Sequence, residues 1–200
     1  MNFGESNINT ILILSRLGEI LISSQQVDEG LECIQRVISV KENINGRYHP
    51  DTIKSIRLLG ENLFATGKWE AALVQFSIVY QYNLEHLEQN NVASFLCLLN
   101  MGQCKLNLGH FPEALDSIQQ AYDGYKSLEG EGGGSTLLAL ANLCSALIGC
   151  KKFNVAVDHL NKLLEHYIRI LGTEHQDAVT TRGKLASCLM DLGRCVGRIM

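Results

Sequence analysis

Leu59-Gly60-Glu61-Asn62-Leu63, followed by Gly67-Lys68-Trp69-Glu70-Ala71-Ala72-Leu73, decides the fold, because the chain repeats it every 42 residues. One step on stand Met101-Gly102 and then Gly109-His110-Phe111-Pro112-Glu113-Ala114-Leu115. A second step gives Leu143-Cys144 and Lys151-Lys152-Phe153-Asn154-Val155-Ala156-Val157. Stepping back reaches Leu17-Gly18 and Gln25-Gln26-Val27-Asp28-Glu29-Gly30-Leu31. Stepping forward reaches Leu185-Ala186, with Gly193 in the turn position. The register holds without an insertion or a deletion, and a fixed period of this size marks stacked supersecondary units.

Each column has a physical meaning. Gly18, Gly60, Gly102, Cys144 and Ala186 are small, as are Gly30, Ala72, Ala114 and Ala156. Two small columns twelve residues apart let two antiparallel helices approach closely. Val27, Trp69, Phe111 and Phe153 are bulky and open the second helix, which makes the lone Trp69 a core residue rather than a ligand platform. Ile34, Phe76, Ile118 and Leu160 follow two turns later and fill the space between units. Gly67, Gly109 and Gly193 mark the turn between helices, where a left-handed residue suits glycine. The coarse helix reading is 8–24, 27–44, 50–66, 69–88, 91–108, 111–128, 135–150, 153–171 and 177–192, with a stub after 195.

These columns resemble the tetratricopeptide repeat, over roughly Asn7 to Met200, in the 42-residue form of kinesin light chains and nephrocystin-type proteins. Those proteins carry G-x-x-H-P-D between repeats. Here Gly46-Arg47-Tyr48-His49-Pro50-Asp51 and Gly172-Thr173-Glu174-His175-Gln176-Asp177 match it. The junctions Glu88-Gln89-Asn90-Asn91-Val92-Ala93 and Gly130-Glu131-Gly132-Gly133-Gly134-Ser135 depart from it. The fold expected is all-α, a right-handed α-solenoid of antiparallel helix pairs with about four and a half repeats. One domain over 1–200 is expected, with repeats near 8–48, 49–90, 91–132, 133–174 and an incomplete 175–200. The glycine-rich junction from Glu129 to Ser135 reads as a tolerated surface loop, with a hinge as the alternative.

Composition narrows the function. The 200 residues are 46% hydrophobic and carry a net charge of −4, which supports a core and argues against a nucleic-acid-binding surface. No apolar run reaches the length of a membrane span, and the first ten residues lack the pattern of a secretory signal. The seven Cys include no C-x-x-C pair, so they read as reduced structural thiols in an intracellular, cytoplasmic protein. His159 and His166 lie seven apart on one helix, too far to share one metal ion. His49 and His175 suit helix starts, and Glu29, Glu70 and Glu113 suit the positive ends of second helices. The run Gly132-Gly133-Gly134 lacks the lysine of a phosphate loop. No cofactor, metal or catalytic residue is expected.

The resemblance implies that the first helix of each repeat lines a concave face. One inward column reads Ser15, Arg57, Leu99, Ala141, Gly183; the next reads Arg16, Leu58, Asn100, Asn142, Lys184; a turn later come Glu19, Glu61, Gln103, Ser145, Ser187. In the family, Asn at the place of Asn100 and Asn142 grips the backbone of an extended peptide. Arg16, Lys54, Arg57, Asn100, Gln103, Asn142 and Lys184 are therefore the candidate groove residues. Phe64, Leu99, Leu106 and Ile148 are the apolar residues beside them. Their pattern suits an acidic segment with an apolar anchor. The carboxylate clamp for chaperone tails does not fit, because Glu61 stands where an Asn is needed and Leu138 and Asn142 replace two basic residues. The function expected is a non-catalytic scaffold binding a short linear peptide. The alternatives are an assembly module acting through its edges, with self-association through the apolar first helix and the incomplete last repeat, or a regulatory segment of a larger protein.

Overall fold

The structure is a computed structural model that describes residues 8–88 and 90–197. Among the described residues there are nine helices and no strand: α1 (Ile8–Ser23), α2 (Val27–Asn45), α3 (Pro50–Ala65), α4 (Trp69–His86), α5 (Val92–Asn107), α6 (Phe111–Glu129), α7 (Gly134–Gly149), α8 (Phe153–Leu171) and α9 (Gln176–Gly197). The repeat is legible to the residue. First helices begin at Ile8, Pro50, Val92, Gly134 and Gln176, and second helices begin at Val27, Trp69, Phe111 and Phe153. Second helices run to 18 or 19 residues, about five turns. No described helix is long and apolar enough to cross a membrane.

The chain divides into two compact units, Met1–Cys97 and Leu98–Met200, with the division inside α5. In the first unit, α1 packs on α2, α2 on α3 and α3 on α4. In the second, α6 packs on α7, α7 on α8 and α8 on α9. The core columns behave as read. Ile34, Phe76, Ile118 and Leu160 are buried, and so are Gly30, Ala72, Ala114 and Ala156. A Cβ on Gly60 would stand 3.0 Å from the Phe76 ring, and one on Gly30 would stand 2.8 Å from the Gly18 carbonyl oxygen. Trp69, Phe111 and Phe153 are half-buried rather than sealed in the core, and the Phe111 ring lies against Gly149 at the end of α7.

The turns inside each pair place Gln25, Gly67, Gly109 and Lys151 in one column, all at positive φ. Gln25 and Lys151 take that conformation without being glycine, because both flanking helices are held by packing. Between pairs, the cap column is His49, Asn91, Gly133 and His175. His49 Nδ1 accepts from the Asp51 amide at 3.2 Å, His175 Nδ1 from the Asp177 amide at 3.3 Å, and Asn91 Oδ1 from the Ser94 amide at 2.8 Å. Gly133 has no side chain to offer, and Glu129 reaches over to accept from the Ser135 amide at 3.0 Å. The junction 129–135 is thus a capped turn between two helices of one unit, and the division into units does not fall there.

Three expectations are corrected. Gly193 lies inside α9, which continues to Gly197, rather than in a turn. α9 also runs unbroken past residue 195, where a separate stub is expected, and Cys195 and Arg198 stand where other repeats have a bulky apolar and a small residue. Residues 198–200, including Ile199 and Met200, lie outside the described residues. Leu99 is fully buried, so it belongs to the core and not to an inner surface.

Candidate functional site

Among the second helices, one end breaks the repeat. Second helices end at Asn45, Glu129 and Leu171, but α4 stops at His86, one residue early. At the other three junctions a glycine follows the helix at positive φ (Gly46, Gly130, Gly172). Glu88 holds that place here, so the chain leaves the helix through Leu87 in extended conformation, φ −115° and ψ 158°. Leu87 and, across the turn, Val92 are left exposed on the wall of a groove of about 700 Å³.

The groove lies within the first unit, between α3, the end of α4 and the first turns of α5. Its floor is Ile53, Val79 and Cys97, all buried. Its walls are Leu87, Val92, Ala93 and Leu96, with Tyr82 and Asn83 at one end. Lys54 and Arg57, two residues singled out by the sequence, stand along its α3 side. Lys54 Nζ lies 3.2 Å from Asp51 Oδ1, and both are exposed; the hydrogen bond and charge of Lys54 hold the Asp51 carboxyl below its ordinary range. Arg57 pairs with Glu61, four residues along the same helix. Both cations stand at the rim and can exchange an intrahelical carboxylate for an incoming one. Exposed pairs of this kind are worth little, so exchanging them costs little.

Asn83 is buried and donates from Nδ2 to Cys97 Sγ at 3.6 Å, which fixes the amide at the groove floor. Burial pushes the Cys97 thiol up to about 11; Arg57 lowers it and Glu61 raises it by smaller amounts. At neutral pH the thiol stays protonated and is a poor nucleophile.

The other candidates sit elsewhere. Arg16 lies on α1, exposed and paired with Glu19 at 3.1 Å. In the second unit, Lys184 of α9 donates to Ser145 Oγ of α7 at 2.9 Å, one turn along α7 from Asn142. Asn142 Nδ2 donates to the Leu138 carbonyl at 2.9 Å, which leaves its second N–H and its oxygen free to bond a ligand. The side chains of Asn100 and Gln103 are half-buried and make no hydrogen bond among the described residues. The structure thus gathers Lys54 and Arg57 on one groove and Asn142 with Lys184 on one polar patch. Tyr82, Asn83, Leu87, Val92 and Leu96 were missed. The departure of residues 88–93 from G-x-x-H-P-D was the available signal, since losing the glycine forces Leu87 outward.

Among the described residues, the remaining titratable groups form no second reactive centre. His166 Nδ1 meets Arg169 Nη2 at 2.8 Å, and His159 stands edge-on to Tyr122 with ring centroids 6.2 Å apart. No group of three or more His, Cys, Asp and Glu among the described residues could hold a metal ion.

The model of the tetratricopeptide repeat family matches residues 9–77. No match is found among curated protein sequences. Among solved structures, a kinesin light chain-like protein of Podosopora anserina with nearly identical TPR-like repeats superposes with a TM-score of 0.77 at 17% identity, covering 96% of this chain and 90% of that one. BtubC from P. vanneervenii gives 0.75 at 14% identity, over 90% and 72% of the two chains. The TPR2AB domain of yeast Sti1, in complex with pHSP90, gives 0.52 at 15% identity, over 88% and 69%. The likeness first drawn from the repeating columns holds: the fold is that of tetratricopeptide-repeat solenoids of the kinesin light chain kind.

Proposed function

We propose that this tetratricopeptide-repeat chain is a non-catalytic scaffold for a short, extended protein segment. The segment seats an apolar side chain in the groove of the first unit and sets acidic side chains against Lys54 and Arg57. The observation that carries this reading is the groove itself: an apolar floor and walls with two rim cations and a fixed amide. Ligand sites are commonly concave and apolar with a few placed polar groups. Tetratricopeptide arrays commonly bind protein partners on such concave surfaces. The Sti1 fold, which is similar, is itself seen in a complex.

Asn100, Gln103, Asn142 and Lys184 serve the backbone of a bound segment in the second unit. Amides donate and accept together and so grip a peptide unit whatever its side chain. Non-catalytic action is supported by the buried Cys97 thiol, which burial keeps protonated. A cytoplasmic setting suits the six free cysteines among the described residues. A second reading, assembly through the edges, is favoured by the exposed apolar face of α1.

The test is a pull-down from cell lysate, followed by titration of the recovered segment. Lys54→Glu with Arg57→Glu should weaken binding at least tenfold at low salt, with the gap closing as salt rises. Asn100→Ala with Asn142→Ala should weaken it several-fold at unchanged helicity. Equal binding to all three proteins would move the contact away from the groove and in favour of the edges.

A further inference from the structure

We propose that the corner of the second unit where α6 ends and α8 lies against the loop 130–133 receives a phosphate monoester, carried on a serine or threonine of a protein partner. This goes beyond the groove reading. No groove residue takes part, and the two stand or fall separately.

Lys162, His166 and Arg169 stand four and three residues apart on α8, so they share one face. That face looks onto the loop after α6. A Cβ on Gly132 would lie 3.7 Å from the His166 ring and 3.8 Å from Arg169 Nη2, and the bare glycine leaves that space open. From α6, Lys126 Nζ reaches Glu131 Oε1 in the same loop at 2.7 Å. Basic side chains from two helices thus gather around one loop. The repeat does not require them. The positions of Lys162, His166 and Arg169 hold Gln120, Gly124 and Ser127 in α6, and Ile78, Tyr82 and Glu85 in α4.

Their polar heads are only partly satisfied. A guanidinium can only donate, so His166 Nδ1 accepts from Arg169 Nη2 at 2.8 Å and the ring proton sits on Nε2. Arg169 keeps its other N–H groups, and neither Arg169 nor Lys162 pairs with a carboxylate among the described residues. Of the flanking carboxylates, Asp123 is bonded by Gln119 Nε2 and Glu129 by the Ser135 amide, each at 3.0 Å. Glu165, between Lys162 and Arg169 in sequence, pairs with neither. Three fixed cations therefore have Glu131 as their one paired carboxylate.

Glu131 shows what the corner takes. The hydrogen bond and charge of Lys126, and then the charge of Lys162, hold its carboxyl below the ordinary range. It stands between Gly130 and Gly132, and two glycines let the loop turn aside. A carboxylate brings one charge and two oxygens. A phosphate monoester brings up to about two charges and three acceptor oxygens, and an ammonium beside a planar guanidinium suits it. The Tyr122 ring beside Lys126 is buried and edge-on to His159, so it offers no face to a nucleobase. A phosphorylated side chain asks for no more than the heads already present.

Nuclear magnetic resonance titration of the full chain at low salt tests this, with the His166 ring signals as reporter. The probes are the peptide Gly-Gly-phosphoserine-Gly-Gly, its unphosphorylated form, acetate and adenosine monophosphate. The phosphopeptide should move the His166 signals and saturate, and the unphosphorylated peptide and acetate should not. Lys162→Ala with Arg169→Ala should weaken the phosphopeptide at least tenfold; both side chains are exposed, so the melting temperature should hold. Glu131→Gln removes the competing carboxylate and should tighten binding severalfold. Arg47→Ala, an exposed cation of the first unit, should change nothing. Equal phosphopeptide binding by the double variant overturns the inference, as does acetate binding as tightly as the phosphopeptide. Weaker binding by Glu131→Gln also overturns it. Tighter binding of adenosine monophosphate than of the phosphopeptide overturns the protein source and assigns the corner to a nucleotide.

Discussion

Gly102 and Gly183 both lie inside first helices of the repeat, and the same substitution should act on them in opposite directions. Alanine in place of an interior helical glycine gains about 1 kcal/mol of backbone propensity. At Gly183 nothing lies within 4 Å of the new methyl, so that gain should survive. At Gly102 the methyl would fall on Ile118 Cγ1, closer than any non-bonded contact allows, and 3.0 Å from Ile118 Cδ1. Ile118 is fully buried in α6 and cannot swing away. Overpacking of this kind costs about 1–3 kcal/mol. Gly102→Ala should therefore change stability by about 0 to −2 kcal/mol, and Gly183→Ala by up to about +1 kcal/mol. For a chain of this size each kcal/mol moves the melting temperature by about 2–4 °C. Melting followed by circular dichroism should show Gly183→Ala at or above the wild type and Gly102→Ala several degrees lower than Gly183→Ala. If both substitutions raise the melting temperature equally, α5 and α6 do not meet at the small column, and the reading of that column is wrong.

The buried thiols predict alkaline sensitivity. Burial holds Cys97 and Cys104 at about 11 and Cys144 at about 12, against 9.0 for an ordinary thiol. The folded state keeps protons that the unfolded chain releases above pH 9, so their contribution is whole below 9 and is lost as pH rises toward 11–12. Melting temperature should fall above pH 9, and less steeply when the three are changed to Ala. His49→Ala removes the acceptor of the Asp51 amide and should cost about 0.5–2 kcal/mol, read as a lower urea midpoint. His175→Ala should do the same through Asp177, and Gly133→Asn should also lower the midpoint, because a Cβ there would fall on the Glu129 Cβ and displace the carboxylate that now accepts from the Ser135 amide.

The fold was legible because its cause is periodic. Small and bulky residues recur in fixed columns, and the helix starts follow them to the residue. The misreadings fall where one residue was asked to act alone. Gly193 was read as a turn, but glycine only permits one; the turn at Gln25 and Lys151 forms without glycine because a following helix packs back. Leu99 was set on the inner face by its column, yet its size and neighbours bury it. The site was half legible. Lys54 and Arg57 are side chains whose place follows from helix register. The groove beside them depends on α4 ending one residue early, which follows from Glu88 standing where a glycine ends the other second helices. That is an absence at one position, and its consequence appears at Leu87 and Val92, outside any column.

The most direct test of the groove is to fill it. Ala93 is exposed on its wall and carries no partner whose loss would disturb the fold. Ala93→Trp should occupy the space meant for the apolar anchor without changing charge. Titration of the recovered segment by calorimetry should then show affinity at least tenfold weaker than wild type, with the melting temperature unchanged. Undiminished affinity in a protein that melts as the wild type does would contradict binding in this groove.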